Sequence, residues 1–225
     1  MTEVTIVDYG LGNVFSAQKS LEACGAVVNV SADPDVIITS PKLILPGVGA
    51  FKQGMDALST RGLVEPIRER ARLGRPMLGI CLGMQLLFEV GREFGESEGL
   101  AILPGAVELI RREDKTAPPL RIPHVGWNDL RPAVSELNGT SVSWNQTLLH
   151  EIEPSSAFVY FVHSYVAVRV NPAHVLANFR YDEDLFVAAV QFKSTWGCQF
   201  HPERSGKLGL RMIKNFLQFS CSSIK

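Results

Sequence analysis

Cys81 stands in Arg75-Pro76-Met77-Leu78-Gly79-Ile80-Cys81-Leu82-Gly83-Met84-Gln85, where a short apolar run meets a Gly-x-Cys-x-Gly turn and then a helical pattern. That is the spacing of a nucleophile elbow with cysteine in place of serine. Gly79 and Gly83 lack the β-carbons that would collide as the chain turns sharply from strand to helix, so the sulfur is presented at the tip. A helix starting at Leu82 and running through Val90 points its unpaired N–H groups at that sulfur. They favour the thiolate, which a free thiol of pKa ~8.5 reaches to only a few per cent at neutral pH. Read alone, Cys81 is equally a small packed hydrophobe. The segment Gln199-Phe200-His201-Pro202-Glu203 shifts the balance. There a short strand ends on a histidine, and a carboxylate follows two positions later. A thiol nucleophile needs an imidazole to take and return its proton, and the imidazole needs a third group to fix its tautomer. Cys81, His201 and Glu203 are therefore the candidate nucleophile, base and orienting acid.

The other histidines and cysteines fit this chemistry less well. His163 lies in Tyr160-Phe161-Val162-His163-Ser164-Tyr165, and alternation along one strand puts Val159, Phe161, His163 and Tyr165 on one aromatic face, where a histidine is usually packed and satisfied. His124, His150 and His174 lack an acid at a useful offset, Glu151 being the immediate neighbour of His150. Cys198 and His201 have a C-x-x-H spacing, but alternation puts Cys198 on the opposite face and Gln199 on the same face as His201. No metal or disulfide framework emerges from cysteines at 24, 81, 198 and 221. Gly47-Val48-Gly49 and Gly10-Leu11-Gly12 each follow a strand, yet neither completes a dinucleotide or phosphate-loop fingerprint. No cofactor is expected.

The elements that must carry these groups alternate at first. Thr5-Ile6-Val7 reads as a strand, and Val14, Ala17, Leu21 and Cys24 as a helical stripe stopped by Gly25. A second strand begins at Ala26 to Val30. Leu43-Ile44-Leu45 is a buried strand, followed by helical patterns over 51–58 and 63–73 and then by the elbow. From Ala106 the rhythm changes to short strands at 107–110, 157–168, 174–180 and 185–192, and a final helix over 207–219 carries Leu208, Met212, Phe216 and Phe219 on one face. The expected fold is α/β and flavodoxin-like: a mostly parallel central sheet flanked by helices, with an antiparallel extension, forming one domain over 1–225. The charged, proline-containing stretch 111–119 is the candidate mobile loop. With 46% hydrophobic residues and a net charge of −1, the chain supports a full core and has no charge bias toward nucleic acid or a membrane surface. The absence of a basic-then-apolar leader and of a run of ~20 apolar residues predicts a cytoplasmic location.

The elbow and the late His-Pro-Glu resemble the class I (triad) glutamine amidotransferases over nearly the whole chain. Four further segments narrow the resemblance: Asp8-Tyr9-Gly10-Leu11-Gly12-Asn13, Leu45-Pro46-Gly47-Val48-Gly49-Ala50-Phe51, Pro123-His124-Val125-Gly126-Trp127-Asn128 and Tyr160 to Tyr165. In this order they are similar to the family of glutaminase subunits of imidazole glycerol phosphate synthase. The resemblance implies hydrolysis of L-glutamine through a Cys81 thioester. It places an oxyanion hole at the Val48 N–H, within Gly47-Val48-Gly49, and at the Leu82 N–H that follows the nucleophile, and the substrate's α-amino acid end at Gln85, Ser164 and Tyr165. A solvated helix residue is the plain alternative for Gln85. The resemblance also implies a heterodimer with a (β/α)₈-barrel cyclase that receives the ammonia, with Asn13, Trp127, Asn128, Tyr160 and Arg204 at or near the interface. The family commonly has lysine where this chain has Arg204, whose planar fork is not equivalent to an ammonium. Alternatives stay open: a glutaminase subunit of an anthranilate or aminodeoxychorismate synthase, a free-standing cysteine hydrolase, or a non-catalytic regulatory subunit.

Overall fold

The computed structural model describes residues 2–112, 116–135 and 139–219. The chain begins with β1 (Thr2–Val7), whose last four residues are buried. Helix α1 (Val14–Ala23) follows, started by Asn13, which accepts a hydrogen bond from the Ser16 N–H. Gly25 turns the chain at φ +85 into β2 (Ala26–Ser31). Next come α2 (Pro34–Thr39), β3 (Leu43–Leu45), α3 (Phe51–Thr60), α4 (Val64–Arg72) and β4 (Met77–Ile80). Beyond the elbow lie α5 (Leu82–Gln85), β5 (Phe88–Gly91), β6 (Ser97–Glu98), β7 (Leu103–Leu109) and β8 (His124–Pro132). The chain ends with β9 (Phe158–His163), β10 (Tyr165–Val168), β11 (Val175–Tyr181), β12 (Asp184–Phe192), β13 (Thr195–Cys198) and α6 (Gly206–Gln218).

Strands β2-β1-β3-β4-β13 are mutually parallel and have the flavodoxin order, and β12, β11, β8 and β9 continue the same sheet antiparallel. Parallel strands end on one edge. Leu45, Ile80 and Cys198 therefore release the Pro-Gly-Val-Gly turn, Cys81 and the His-Pro-Glu segment at the same carboxyl edge, where ligands bind in open α/β sheets. Met212 and Phe216 of α6 are buried against the sheet, with Leu208 and Phe219 packed beside them.

Three expectations need correction. The helix after Cys81 does not run to Val90 but ends after one turn at Gln85. Leu82, Met84, Leu86, Leu87 and Phe88 are all buried, so no polar face exists to lie on a surface. The carbonyls of Leu86 and Leu87 instead accept from Leu100, Ile102 and Leu103, which draws the chain into a second sheet of order β10-β7-β5-β6. The single strand expected over 157–168 is two strands. It breaks at Ser164, whose carbonyl accepts from the Ile110 N–H, so β9 stays in the large sheet while β10 pairs with β7. Tyr165 thus does not continue the His163 face. The strand before His201 ends at Cys198, three residues earlier than expected, and Pro202–Arg204 forms a 3₁₀ turn. Of the stretch 111–119, residues 113–115 lie outside the described residues, and Arg112 is held by the Pro118 carbonyl, Asp182 and Asp184.

Helix α2 was not anticipated, although Asp33 followed by Pro34 is an N-cap and first-turn pair, and the Asp33 carboxylate does accept from the Asp35 N–H. Its position depends on Arg70 of α4, which is fully buried. The guanidinium donates to the carbonyls of Ile37 (3.0 Å), Ser40 (2.7 Å) and Pro76 (2.8 Å), tying α2 and the entries to β3 and β4 together. Arg70→Met removes the donor of the buried Ile37 and Ser40 carbonyls, each at a cost of about 1–3 kcal/mol, while the Pro76 carbonyl keeps the Leu43 N–H at 3.1 Å. A loss of at least about 2 kcal/mol is therefore expected in urea unfolding; a midpoint within error of wild type refutes this account.

Candidate active site

Cys81 adopts φ +53 and ψ −111, a backbone conformation that costs a side-chain-bearing residue about 1–3 kcal/mol and persists where the surroundings over-determine it. Its N–H donates to the Cys198 carbonyl at 2.8 Å and its carbonyl accepts from the Gln85 N–H at 3.1 Å. The elbow glycines serve close approach. A β-carbon on Gly79 would lie 2.6 Å from the Gly83 oxygen, and one on Gly83 would lie 1.8 Å from the Leu45 oxygen. The strand, the turn and β3 can nest only because both are glycine.

His201 is buried, and its Nδ1 lies 2.7 Å from Glu203 Oε1. Burial works against the imidazolium, but the Cys81 sulfur and the Glu203 carboxylate outweigh it and raise the imidazole to about 10. The His201 N–H donates to the Tyr160 carbonyl at 2.9 Å, and its own carbonyl accepts from the Ser205 hydroxyl at 2.7 Å, so the ring is fixed from its backbone outward. Nε2 is buried and is not claimed by any hydrogen bond among the described residues.

A cleft of about 280 Å³ is lined by Val48, Gly49, Cys81, Leu82, Gln85, Glu93, His163, Ser164, Tyr165 and His201, with Val162 beside them. It gathers most of the expected site residues. Gly47 lies beneath rather than in it: a β-carbon there would meet the Tyr9 hydroxyl at 2.5 Å. A roomier depression of about 440 Å³ around His174, Phe192 and Lys193 shares no residue with this cleft, and neither a cysteine nor a carboxylate lines it. Gln85 is buried rather than solvated. Its side-chain N–H groups donate to the Tyr165 carbonyl at 3.0 Å and to Gln199 Oε1 at 2.9 Å, which leaves its oxygen as the group available to a ligand. Cys198 is fully buried, with its S–H toward the Gly79 carbonyl at 3.8 Å. It is a core residue, and no cluster arranged to hold a metal occurs among the described residues.

Sequence reasoning missed Glu93, Gln199 and Tyr9. Glu93 Oε2 accepts from the Phe51 N–H at 2.9 Å, and the Tyr9 hydroxyl donates to the Pro46 carbonyl at 2.6 Å. Together they clamp both ends of the segment 47–50. Nothing around Glu93 in sequence distinguishes it from a surface carboxylate. Gln199 had a signal, since alternation already placed it on the side of His201.

The expected interface residues form a connected surface in part. Trp127 is 56% exposed and packs edge-on against Tyr160, with ring centroids 6.1 Å apart. The exposed Arg204 lies 5.1 Å from the Tyr160 ring centroid. Helix α1, which Asn13 caps, packs against the turn holding Arg204. Asn128 is half-buried, and its side chain is engaged with the Arg180 carbonyl and the Asp129 N–H.

His163 is satisfied, as expected of a packed histidine: Nδ1 lies 3.0 Å from the Tyr165 carbonyl and Nε2 lies 3.2 Å from His124 Nδ1. Burial, with His124 and His201 nearby, lowers it to about 3 despite the Tyr165 acceptor. Folding therefore excludes a proton that the unfolded chain takes up near pH 6.5. Above that pH the group is neutral in both states and costs nothing. As pH falls toward about 3 the folded state loses up to ~1.4 kcal/mol per pH unit. Relative to His163→Gln, which keeps a donor for Tyr165, wild type should lose about 1.6 kcal/mol between pH 6.5 and 5. Parallel urea stabilities across that range contradict this.

Residues 5–219 match the family model described as glutamine amidotransferase class-I. The chain is 43% identical over 218 residues to the imidazole glycerol phosphate synthase subunit HisH 1 of Legionella pneumophila (strain Lens), covering 97% of this chain and 100% of that one. It is 43% identical to the HisH subunit of Synechococcus elongatus (96% and 92% covered) and 42% identical to that of Salinibacter ruber (94% and 92%). Among solved structures it is similar in fold to a glutamine amidotransferase, with a TM-score of 0.66 and 20% identity over 96% of this chain and 97% of that one. PurLQS from Thermotoga maritima gives a TM-score of 0.63 at 20% identity, covering 96% and 98%.

Proposed function

The chain belongs to the class I glutamine amidotransferases, and among them to the HisH glutaminase subunits of imidazole glycerol phosphate synthase; from that premise we propose that Cys81, His201 and Glu203 hydrolyse L-glutamine and that residues 1–225 act as one glutaminase domain. The observation that carries this reading is the strained Cys81 elbow sharing one cleft with an imidazole that Glu203 holds at 2.7 Å. An imidazole that keeps its proton at neutral pH beside a sulfur is the acid half of a thiolate–imidazolium pair.

The Cys81 thiolate attacks the side-chain carbonyl carbon of glutamine, and the oxygen that gains charge is held by the N–H groups of Val48 and Leu82. Leu82, at the first position of α5, has no acceptor within its own turn. His201 gives its proton to the departing nitrogen, and ammonia leaves a γ-glutamyl thioester. The neutral imidazole then takes a proton from water, the hydroxide attacks the thioester, and the C–S bond breaks with its electron pair returning to sulfur. Glutamate departs. At the other end of the substrate, the free oxygen of Gln85 and the Glu93 carboxylate are acceptors suited to the α-ammonium, and the chain around Ser164 and Tyr165 closes the cleft over the α-carboxylate.

Ammonia released into neutral water is mostly protonated and no longer nucleophilic, so a biosynthetic glutaminase gains by discharging into a partner. The proposed partner is a (β/α)₈-barrel cyclase, in the cytoplasm, docking on the surface of Trp127, Tyr160 and Arg204 with Asn13 and Asn128 near its edge. There the ammonia is used to form imidazole glycerol phosphate and an aminoimidazole carboxamide ribotide. The test is to mix the chain with such a cyclase and measure co-elution and glutamine-dependent formation of the ribotide. Co-elution with an anthranilate or aminodeoxychorismate synthase component, and not with the cyclase, overturns the assignment.

A further inference from the structure

We propose that Gln199 is a further catalytic group: its side-chain amide donates a hydrogen bond to the Cys81 sulfur, and Gln85 determines which end of that amide faces it. Gln199 is fully buried, its backbone N–H is held by the Ala188 carbonyl at 2.8 Å, and its Nε2 lies 3.6 Å from Cys81 Sγ.

The two ends of a glutamine amide look alike in shape, so the orientation must follow from the partners. The Tyr165 carbonyl can only accept, and the Gln85 amide end 3.0 Å from it is therefore the NH₂. The same nitrogen lies 2.9 Å from the Gln199 side chain, so the atom it meets there must be the oxygen. The NH₂ of Gln199 is then the end left for the sulfur. Reversing Gln199 sets two NH₂ groups against each other and turns a carbonyl oxygen toward the thiolate, and reversing Gln85 sets its oxygen against the Tyr165 oxygen. A backbone carbonyl thus fixes, through two side-chain amides, a donor aimed at the reacting atom.

The consequence lies in the two steps where sulfur carries charge. In the resting pair the donor stabilises the thiolate. In the thioester the sulfur is bonded to carbon and neutral, and the hydrogen bond relaxes. When water has added and the C–S bond breaks, the electron pair returns to a sulfur that the Gln199 N–H is already positioned to hold. Gln199 therefore assists expulsion of the thiolate, while His201 handles the protons.

This inference rests on Cys81 as the nucleophile, yet iodoacetamide alkylation reads the thiolate without any substrate, so the two claims fail separately. In Gln199→Met, of similar volume but without a donor, the alkylation–pH profile should move up by about one pH unit, the scale of one lost charge-assisted hydrogen bond. Glutamine turnover should fall ~10-fold or more with thioester accumulating, as expected when leaving-group stabilisation is lost. Gln85→Met, which does not reach the sulfur, should shift the profile in the same direction, and the double variant should be no worse than Gln199→Met alone. Should the variants not fold, the wild-type side-chain amide resonance of Gln199 is read instead. It should move as Cys81 ionises and stay still in Cys81→Ala. A folded Gln199→Met whose alkylation profile overlays wild type, or an amide resonance indifferent to Cys81, overturns the proposal.

Discussion

Replacing Cys81 by alanine is expected to abolish glutamine hydrolysis, with a loss of ~10⁴-fold or more in turnover, the scale seen when a nucleophile is removed from a catalytic triad. The fold should survive. Alanine keeps the β-carbon that the φ +53 backbone already accommodates, and the hydrogen bonds holding the elbow come from main-chain atoms of residues 81, 85 and 198. The change removes one sulfur from a site facing the cleft, so little buried volume is lost. Retention of more than about a hundredth of wild-type glutamate release excludes Cys81 as the nucleophile, because no triad loss is that small. With ammonium supplied directly, the complex of Cys81→Ala with the cyclase should still form product. Failure of that rescue shows that the chain does more for its partner than deliver ammonia.

The parts of this site that could be read in the sequence are those set by local sterics and by short spacings. Gly79 and Gly83 flank Cys81 at the offsets a sharp strand-to-helix turn requires, and the structure gives the reason in contacts of 2.6 and 1.8 Å that any β-carbon there would make with main-chain oxygens. His201 and Glu203 sit two residues apart, close enough for one turn to join them. The parallel half of the sheet was legible for a similar reason, since short apolar runs separated by helical stripes leave little choice of topology. What was not legible depended on long-range partners. The run from Leu82 to Phe88 reads as helix by propensity, yet it is buried on every side, and residues 100–103, which lead into β7 of the second sheet, capture its carbonyls after one turn. Ser164 interrupts an unbroken apolar pattern because Ile110, far away in sequence, pairs with it. Glu93 and Tyr9 act on a segment some forty residues distant in each case, and nothing in their own neighbourhoods announces it. Gln199 was placed on the correct side by alternation, but its role required knowing that Gln85 and Tyr165 stand behind it.

The isolated chain should be a poor glutaminase, and the cyclase with its nucleotide bound should raise glutamate release by ~10²–10³, the value of one oxyanion-hole donor. The segment that would supply the Val48 N–H is held at both ends. At one end the Tyr9 hydroxyl holds the Pro46 carbonyl, and at the other Glu93 holds the Phe51 N–H. Between these clamps are two glycines with different surroundings. A β-carbon on Gly47 would strike Tyr9 and Leu82, whereas Gly49, at φ +104, has only the Gln53 side chain near it. Val48 itself is 43% exposed, so its turning disturbs no packed core. The Val48 N–H lies in the Gly47–Val48 peptide, and the absence of a β-carbon on Gly47 frees the ψ rotation that takes this N–H toward the cleft or away from it. A thiolate that is always supplied with a complete oxyanion hole would spend glutamine without need, and a partner that contacts this face can shift the balance only by binding one orientation better than the other. Raising turnover 10²-fold requires a differential affinity of about 2.7 kcal/mol, within the usual range of such couplings. Steady-state glutamate release is to be compared for the chain alone, for the complex, and for the complex with the cyclase's nucleotide. Tyr9→Phe, which frees the Pro46 end, should lower the stimulated rate more than the basal one, because it loosens the state in which both clamps matter. Equal turnover in all three conditions rules out the gate, and equal loss of both rates in Tyr9→Phe assigns the tyrosine to the fold alone.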